Sequence, residues 1–463
     1  TFWYPNYDYS ALAAILEDGP GGQKLKEWND KRETRDIALT VDAALQTKMQ
    51  NGLKNYVLAN FENESQNKLR ISVVVLNAKS GELLCSANYP LPNQDRLRNA
   101  PSVYDEKDRK EKAYTDRDLG LTFQTAPGST AKVISAMAGL LKSGKDAANK
   151  TYFVNSREAI ESGIEPSNHA VTMKEAIVKS SNCYFVNLVN DQNLYPQLDS
   201  IYSTVGIRID KHITVGKQGE SPRISFKPLT PYFLNYEHPT EEYKSEIKAV
   251  GQKATHIYRD YVEKRNRNGI FEKMSGYDKA SGHEWNECAW AWGQGTLRAT
   301  PLNMARISSI VANGGKLVPT RYVFKGNENL KTPKTRPITL LSAAEAQVLK
   351  EYMTTESMQE QRSRNGVSFA HSIGGKTGTP EREWRFTLFD SNGKPRISKK
   401  GKPLAQTVTT NDGWYVFFTN SPTPLAVAVR MERLFGKGSG EAVRLTDRVV
   451  LKALEEAGYF KEK

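Results

Sequence analysis

Ala126-Pro127-Gly128-Ser129-Thr130-Ala131-Lys132-Val133-Ile134 is a short turn that runs straight into an apolar helix. Pro127 carries the φ suited to a helix start, Gly128 lets other backbone come close, and Ser129 falls in the first turn. Lys132, at i+3, lies one turn on and on the same face, so its amine can reach the Ser129 hydroxyl. Serine alone is a poor nucleophile. A lysine beside it can serve as base if burial and neighbours hold the amine neutral, and the helix N-terminus adds partial positive charge where an alkoxide develops. Ser-x-x-Lys occurs four times, at Ser65/Lys68, Ser129/Lys132, Ser245/Lys248 and Ser391/Lys394. Ser65 lies among Asn, Glu and Gln, Ser245 on a charged helix face, and Ser391-Asn392-Gly393-Lys394 reads as a hairpin turn. Only Ser129 is followed by an apolar helix, through Val133, Ile134, Met137, Leu140 and Leu141, that can anchor a rigid nucleophile in a core.

Working outward, strand-like runs sit near both ends of the chain. Ile71 to Asn77 (ISVVVLN) and Glu82 to Asn88 flank the turn Ala78-Lys79-Ser80-Gly81 as a hairpin, and their continuous apolar character predicts a sheet covered on both faces. Ser372 to Thr379 (SIGGKTGT), Trp414 to Thr419 (WYVFFT) and Leu425 to Met431 (LAVAVRM) read as three further strands. Helices are expected from the N-cap Asp42, over Ala299 to Val311 up to the stop Asn313-Gly314-Gly315, and over about 440–457. Val171 to Val189 is helical but interrupted at Lys179-Ser180-Ser181-Asn182-Cys183. The expected fold is α+β: an antiparallel five-stranded sheet built from both chain ends, flanked by helices, with a mostly helical subdomain carrying Ser129 and Ser180. Residues 1–35 read as an N-terminal arm or linker and 36–463 as one domain with insertions at about 218–289 and 381–411. Trp414, on a strand beside Phe417 and Phe418, reads as core.

Lys and Arg total 65 against 52 acidic residues in 463, a net charge of +13. Such a surplus predicts anionic surroundings: nucleic acid, a membrane surface or a cell-wall polymer. No zinc-finger spacing, RNP-like strand or long basic tract supports nucleic acid. Cys85, Cys183 and Cys288 suit neither a disulfide framework nor a metal site. No run of about 18 apolar residues occurs. Because the chain starts at Thr1, an excised segment with a missing upstream anchor is expected.

Three short signals follow one another: Ser129-Thr130-Ala131-Lys132, Ser180-Ser181-Asn182 and Lys376-Thr377-Gly378-Thr379. The first opens an apolar helix, the second breaks one, and the third lies on a Gly-rich strand. With these in place the sequence resembles the penicillin-binding transpeptidases, the serine acyltransferases of peptidoglycan synthesis. The spacings, 51 residues from Ser129 to Ser180 and 196 from Ser180 to Lys376, are similar to those of the high-molecular-weight members; the likeness does not settle the subclass, and the expectation of a monofunctional, class B-like type rests on finding no glycosyltransferase domain in this chain. Flanking agreement includes Leu39-Thr40-Val41-Asp42, the Lys79-Ser80-Gly81-Glu82 turn, Ala299-Thr300-Pro301 and Gly413-Trp414-Tyr415-Val416.

The resemblance implies a D,D-transpeptidase that crosslinks stem peptides through a Ser129 acyl-enzyme formed at D-Ala-D-Ala, without a cofactor or metal. In that scheme Lys132 takes the hydroxyl proton, Ser180 relays it to the leaving amine, and Asn182 hydrogen-bonds the substrate amide and Lys132. Lys376 keeps the site electropositive, the hydroxyls of Thr377 and Thr379 bind the terminal carboxylate, and Gly375 and Gly378 leave the strand edge open to the substrate. The backbone N–H groups of Ser129 and Thr379 form an oxyanion hole. Implied ligands are stem peptides and β-lactams. Implied protein partners are a membrane glycosyltransferase and other wall-synthesis proteins, in an extracytoplasmic location. Glu161 and Glu165 precede the second motif instead of following it, so the glutamate that activates a deacylating water in class A β-lactamases has no counterpart and slow β-lactam hydrolysis is expected. A loop role is expected for His169. The alternatives are a D,D-carboxypeptidase or endopeptidase, a β-lactam sensor and a non-catalytic wall-binding scaffold.

Overall fold

In β1 (Arg70–Asn77) every residue from Ile71 to Leu76 is buried. A strand points successive side chains to opposite faces, so such a run requires cover on both sides. The computed structural model describes residues 39–61, 69–91, 118–153, 170–209, 213–214, 223–224, 290–294, 297–322, 336–355, 373–387, 396–399, 401–402, 404–434 and 437–460. The N-terminal arm, most of the first insertion, Glu161, Glu165, His169 and Cys288 lie outside them.

β1 pairs with β2 (Leu83–Tyr89) as the expected hairpin and, on its other edge, with β6 (Leu425–Leu434). The order is β3-β5-β6-β1-β2, antiparallel throughout, where β3 is Ile373–Gly378 and β5 is Ala405–Thr419. This is the predicted α+β sheet that joins the two ends of the chain. The segment read as a second insertion adds β4 (Glu381–Thr387), which pairs with the N-terminal half of β5, collinear with β3.

One face, with Ile71, Val73, Val75, Tyr415, Phe417, Val427 and Val429, packs on α1 (Ala43–Asn60) and on the C-terminal helix. Asp42 caps α1 as expected, accepting from the backbone N–H of Ala44 at 2.9 Å and of Leu45 at 3.0 Å. Leu45, Met49, Leu53 and Tyr56 then form its buried stripe. The C-terminal helix begins as Ser439–Leu445, passes through a wider turn at Thr446–Val450 and ends with Leu451–Glu456.

The other face, with Val74, Leu76, Trp414, Val416, Phe418 and Ala428, packs on the helical subdomain. Its members include α2 (Lys132–Ser143), α3 (Met173–Lys179), α4 (Asn182–Asp191), α5 (Tyr195–Val205), α6 (Pro301–Ala312) and α7 (Ala343–Met353). Trp414 is fully buried, as its strand context predicts.

A polar row crosses this second face from Asn88 through Ser72, Arg430 and Trp414 to Gly378, matched by register across five strands. It carries the chain segment that leads to Ser129. Asn88 Oδ1 accepts from Gly120 N at 3.2 Å, and Arg430 donates to Phe123 O at 2.6 Å and Leu119 O at 2.9 Å. Arg430 and Glu432 are paired at 2.9 Å with side chains 0% and 1% exposed. The guanidinium also lies 5.4 Å from the ring centroids of both Phe123 and Trp414. Truncating one partner of such a pair leaves a buried charge without its counterion. Arg430→Met should therefore cost about 3–5 kcal/mol in denaturant unfolding, and Arg430→Met/Glu432→Met should recover the part due to the uncompensated Glu432 charge but not the part due to the carbonyls of Phe123 and Leu119. Equal destabilisation in the single and double variants would contradict this account of the pair.

Candidate active site

Ser129 stands on a tight turn, Gly128–Ala131, of 3₁₀ form; Lys132 then opens α2. The sequence reading places Ser129 in the first turn of an α-helix, whereas the turn is wound tighter, and the Thr130 hydroxyl donates to Pro127 O at 2.7 Å to close it. Glycine is required beneath it. Gly128 has φ +57°, and Gly293, with φ +83°, lies so close that a Cβ there would sit 2.0 Å from Gly128 O. The two are tied by Gly128 N donating to Gly293 O at 2.9 Å.

The second motif interrupts a helix as predicted. α3 starts with a capping box between Thr172 and Glu175 and ends at Ser180, which adopts the left-handed conformation (φ 61°, ψ 41°). A non-glycine residue pays about 1–2 kcal/mol there. Ser181 caps α4 by accepting from Tyr184 N at 3.0 Å. Ser180 is thus left between the helices with its hydroxyl and carbonyl facing Lys132.

Four side chains from three distant segments meet. Lys132 Nζ is 3.0 Å from Ser129 Oγ and 3.0 Å from Ser180 Oγ, and it also donates to Ser180 O. Lys376 Nζ, from β3, is 3.1 Å from the same Ser180 Oγ and donates to Thr377 O at 3.1 Å. A continuous hydrogen-bonded path therefore runs Ser129–Lys132–Ser180–Lys376, and both lysines are 1% exposed. Gly378 closes the third side: a Cβ there would lie 2.7 Å from Pro127 O and 3.0 Å from Thr130 Cγ2, so the end of β3 rests against the turn that carries Ser129. Thr377 is half-buried, Thr379 is exposed at the end of β3, and Asn182 is half-buried as the first residue of α4.

Burial of the Lys376 ammonium lowers its pKa to about 7. The sequence reading has Lys376 keep the site electropositive; with its pKa lowered to about 7 by burial, that positive charge depends on pH near neutrality. The charged form predominates below about 7 and is lost above it. Binding of a carboxylate-bearing ligand should accordingly weaken as pH rises through about 7, and Lys376→Met should flatten that dependence. Binding that is flat across this range in the wild type would remove Lys376 as the titrating group.

Sequence reasoning missed two contributors. Arg430 left a readable signal, since a lone arginine in an apolar strand cannot be buried unpaired. Ser439, whose backbone N–H donates to Thr379 Oγ1 at 3.1 Å, left none. Among the described residues no helix is long and apolar enough to cross a membrane.

The arrangement offers a hydroxyl with a buried amine at hydrogen-bond distance, a second hydroxyl linked to that amine and an open strand edge, the parts needed for acyl transfer. Residues 71–383 match the model of the penicillin binding protein transpeptidase domain. In fold, the chain is similar to the D,D-transpeptidase domain of a peptidoglycan glycosyltransferase from Eggerthella lenta, with TM-score 0.56 and 16% identity over 94% of this chain and 87% of that one. It is also similar to penicillin-binding protein A from M. tuberculosis in a ceftriaxone acyl-enzyme complex, with TM-score 0.56 and 18% identity over 96% and 86%. An imipenem acyl-enzyme complex of that protein gives TM-score 0.55 and 18% identity over 96% and 87%. No curated protein matches the sequence.

Proposed function

This chain belongs to the penicillin-binding protein transpeptidase family, and from that premise we propose that it is a peptidoglycan D,D-transpeptidase working through an acyl-enzyme on Ser129. The observation that carries the reading is the placement of Lys132 Nζ within 3.0 Å of both Ser129 Oγ and Ser180 Oγ. Ser129 Oγ attacks the carbonyl between the two terminal D-alanines while Lys132, as the neutral amine, takes its proton. The proton passes through Ser180 to the leaving nitrogen, the bond to the last D-alanine breaks, and the acyl group stays on Ser129. The amine of a neighbouring stem peptide then attacks this ester, returns a proton along the same path and frees Ser129 with a new crosslink.

Around this sequence of steps, Asn182 holds the substrate amide, and Lys376 with the hydroxyls of Thr377 and Thr379 binds the terminal carboxylate. The backbone N–H groups of Ser129 and Thr379 receive the oxyanion, each donor worth about 3–4 kcal/mol in a comparable serine enzyme. A β-lactam enters as a cyclic stand-in for the D-Ala-D-Ala end and acylates the same oxygen. An extracytoplasmic site of action, with stem peptides and β-lactams as ligands, follows from the same reading.

The test offers a stem pentapeptide with and without an acceptor amine strand and follows products by mass spectrometry. A crosslinked dimer that depends on the acceptor is expected. Release of D-alanine with no dimer under any acceptor would make the chain a carboxypeptidase, and the absence of both would end the proposal.

A further inference from the structure

The exposed Thr379 side chain is gripped from one side by the segment that opens the C-terminal helix. Ser439 N donates to Thr379 Oγ1 at 3.1 Å, and Gly438 packs so closely that a Cβ there would lie 2.9 Å from Thr379 Cγ2 and 3.2 Å from Thr379 Oγ1. The segment is itself held from behind: Asn411 Nδ2 donates to Lys437 O at 2.9 Å, and a Cβ on Gly413 of β5 would meet Gly438 O at 2.9 Å. Two glycines thus allow a backbone strut to stand between β5 and the end of the motif strand.

Ser439 is the first residue of its helix, where an N–H has no partner within the helix. That spare donor is spent on Thr379. A hydroxyl has one hydrogen and two lone pairs. With one lone pair fixed by Ser439 N–H, the O–H is confined to the remaining directions around the oxygen and stays free to donate, the polarity an anion needs. We infer that the backbone N–H of Ser439 sets the Thr379 hydroxyl as a donor, making the 437–439 strut a positioning element for recognition of the substrate's terminal carboxylate. The inference rests on the acyl-enzyme reading above, in which Thr379 meets that carboxylate. It adds that the hydroxyl is oriented in advance by a segment 60 residues away, and that the selective partner of this strut is a ligand carrying an anionic carboxylate.

Proline at the first helical position keeps the helix start but has no N–H, so Ser439→Pro deletes the donor and Ser439→Ala retains it. Acylation rates of the full chain are measured by mass spectrometry with benzylpenicillin and with its methyl ester, which lacks the anion. The acid-to-ester rate ratio should fall roughly fivefold in Ser439→Pro relative to Ser439→Ala, the effect of one hydrogen bond. In a Thr379→Val background the same exchange should change nothing. Equal ratios for the proline and alanine variants, or an undiminished fall in the Thr379→Val background, would overturn the inference while leaving the acyl-enzyme reading intact. No adduct on wild-type Ser129 would overturn both. If Ser439→Pro does not fold, Gly438→Ala serves instead, because its Cβ displaces the Thr379 side chain with the N–H still present; an unchanged ratio there is again fatal to the inference.

Discussion

Ser129→Ala should take up no labelled penicillin and form no crosslinked dimer if the proposed acyl-enzyme chemistry holds, with an expected fall in turnover on the order of 10⁶-fold, the size seen when a serine nucleophile is removed. The loss should be all or none for the covalent adduct, because no other atom on the path through Lys132, Ser180 and Lys376 can form the same ester at the same place. Ser180 Oγ is the other hydroxyl on that path, and it already lies between two lysine amines at 3.0 and 3.1 Å. The variant should fold normally: Ser129 is only half-buried, and its hydroxyl is not part of the turn's backbone bonding. Intact-mass measurement with peptide mapping checks the expectation. An adduct of unchanged yield in Ser129→Ala would assign the nucleophile elsewhere and remove the basis of the proposed chemistry.

Lys132→Met should slow acylation by about 10²–10⁴-fold while leaving the nucleophile in place. Methionine approximates the length of the lysine stem and keeps α2 packed, so the loss isolates the amine. Lys132→Arg separates two roles that methionine cannot. A guanidinium preserves the positive charge but does not give up its proton at accessible pH. If Lys132 works as a base, arginine should be as slow as methionine; if it works only as a fixed charge, arginine should restore much of the rate. Single-turnover acylation by a chromogenic β-lactam measures both variants. Substantial recovery with arginine would require a different proton acceptor, and Lys376, with its pKa brought to about 7 by burial, would be the one to test next.

The strands and helices that carry the site were legible because their signals are local. Continuous apolar character in β1 and β6 implies a sheet covered on both faces, and that is how both strands are packed. The Ser180 break was readable as an interruption of helical periodicity between Val171 and Val189, and it appears as a left-handed residue between α3 and α4. The tighter turn at Ser129 was not legible, since it depends on Gly293, 165 residues further on, pressing its backbone against Gly128. β4 escaped notice for a related reason. Four of its seven residues, Glu381, Arg382, Glu383 and Arg385, are charged, and what makes the segment a strand is the length of β5 it pairs with.

By itself the sequence determined the fold class, the strands that join the two chain ends, and the short motifs from which a nucleophile, a base and a carboxylate-binding strand were named. These follow from periodicity, capping and side-chain chemistry, which act over a few residues. Only the tertiary structure decided that Lys132 and Lys376 share one hydroxyl, that burial brings Lys376 down to about 7, that Arg430 holds up the segment leading to Ser129, and that Ser439 reaches Thr379. Each of these depends on distances and desolvation between segments far apart in the chain, quantities that exist only after the chain has closed on itself.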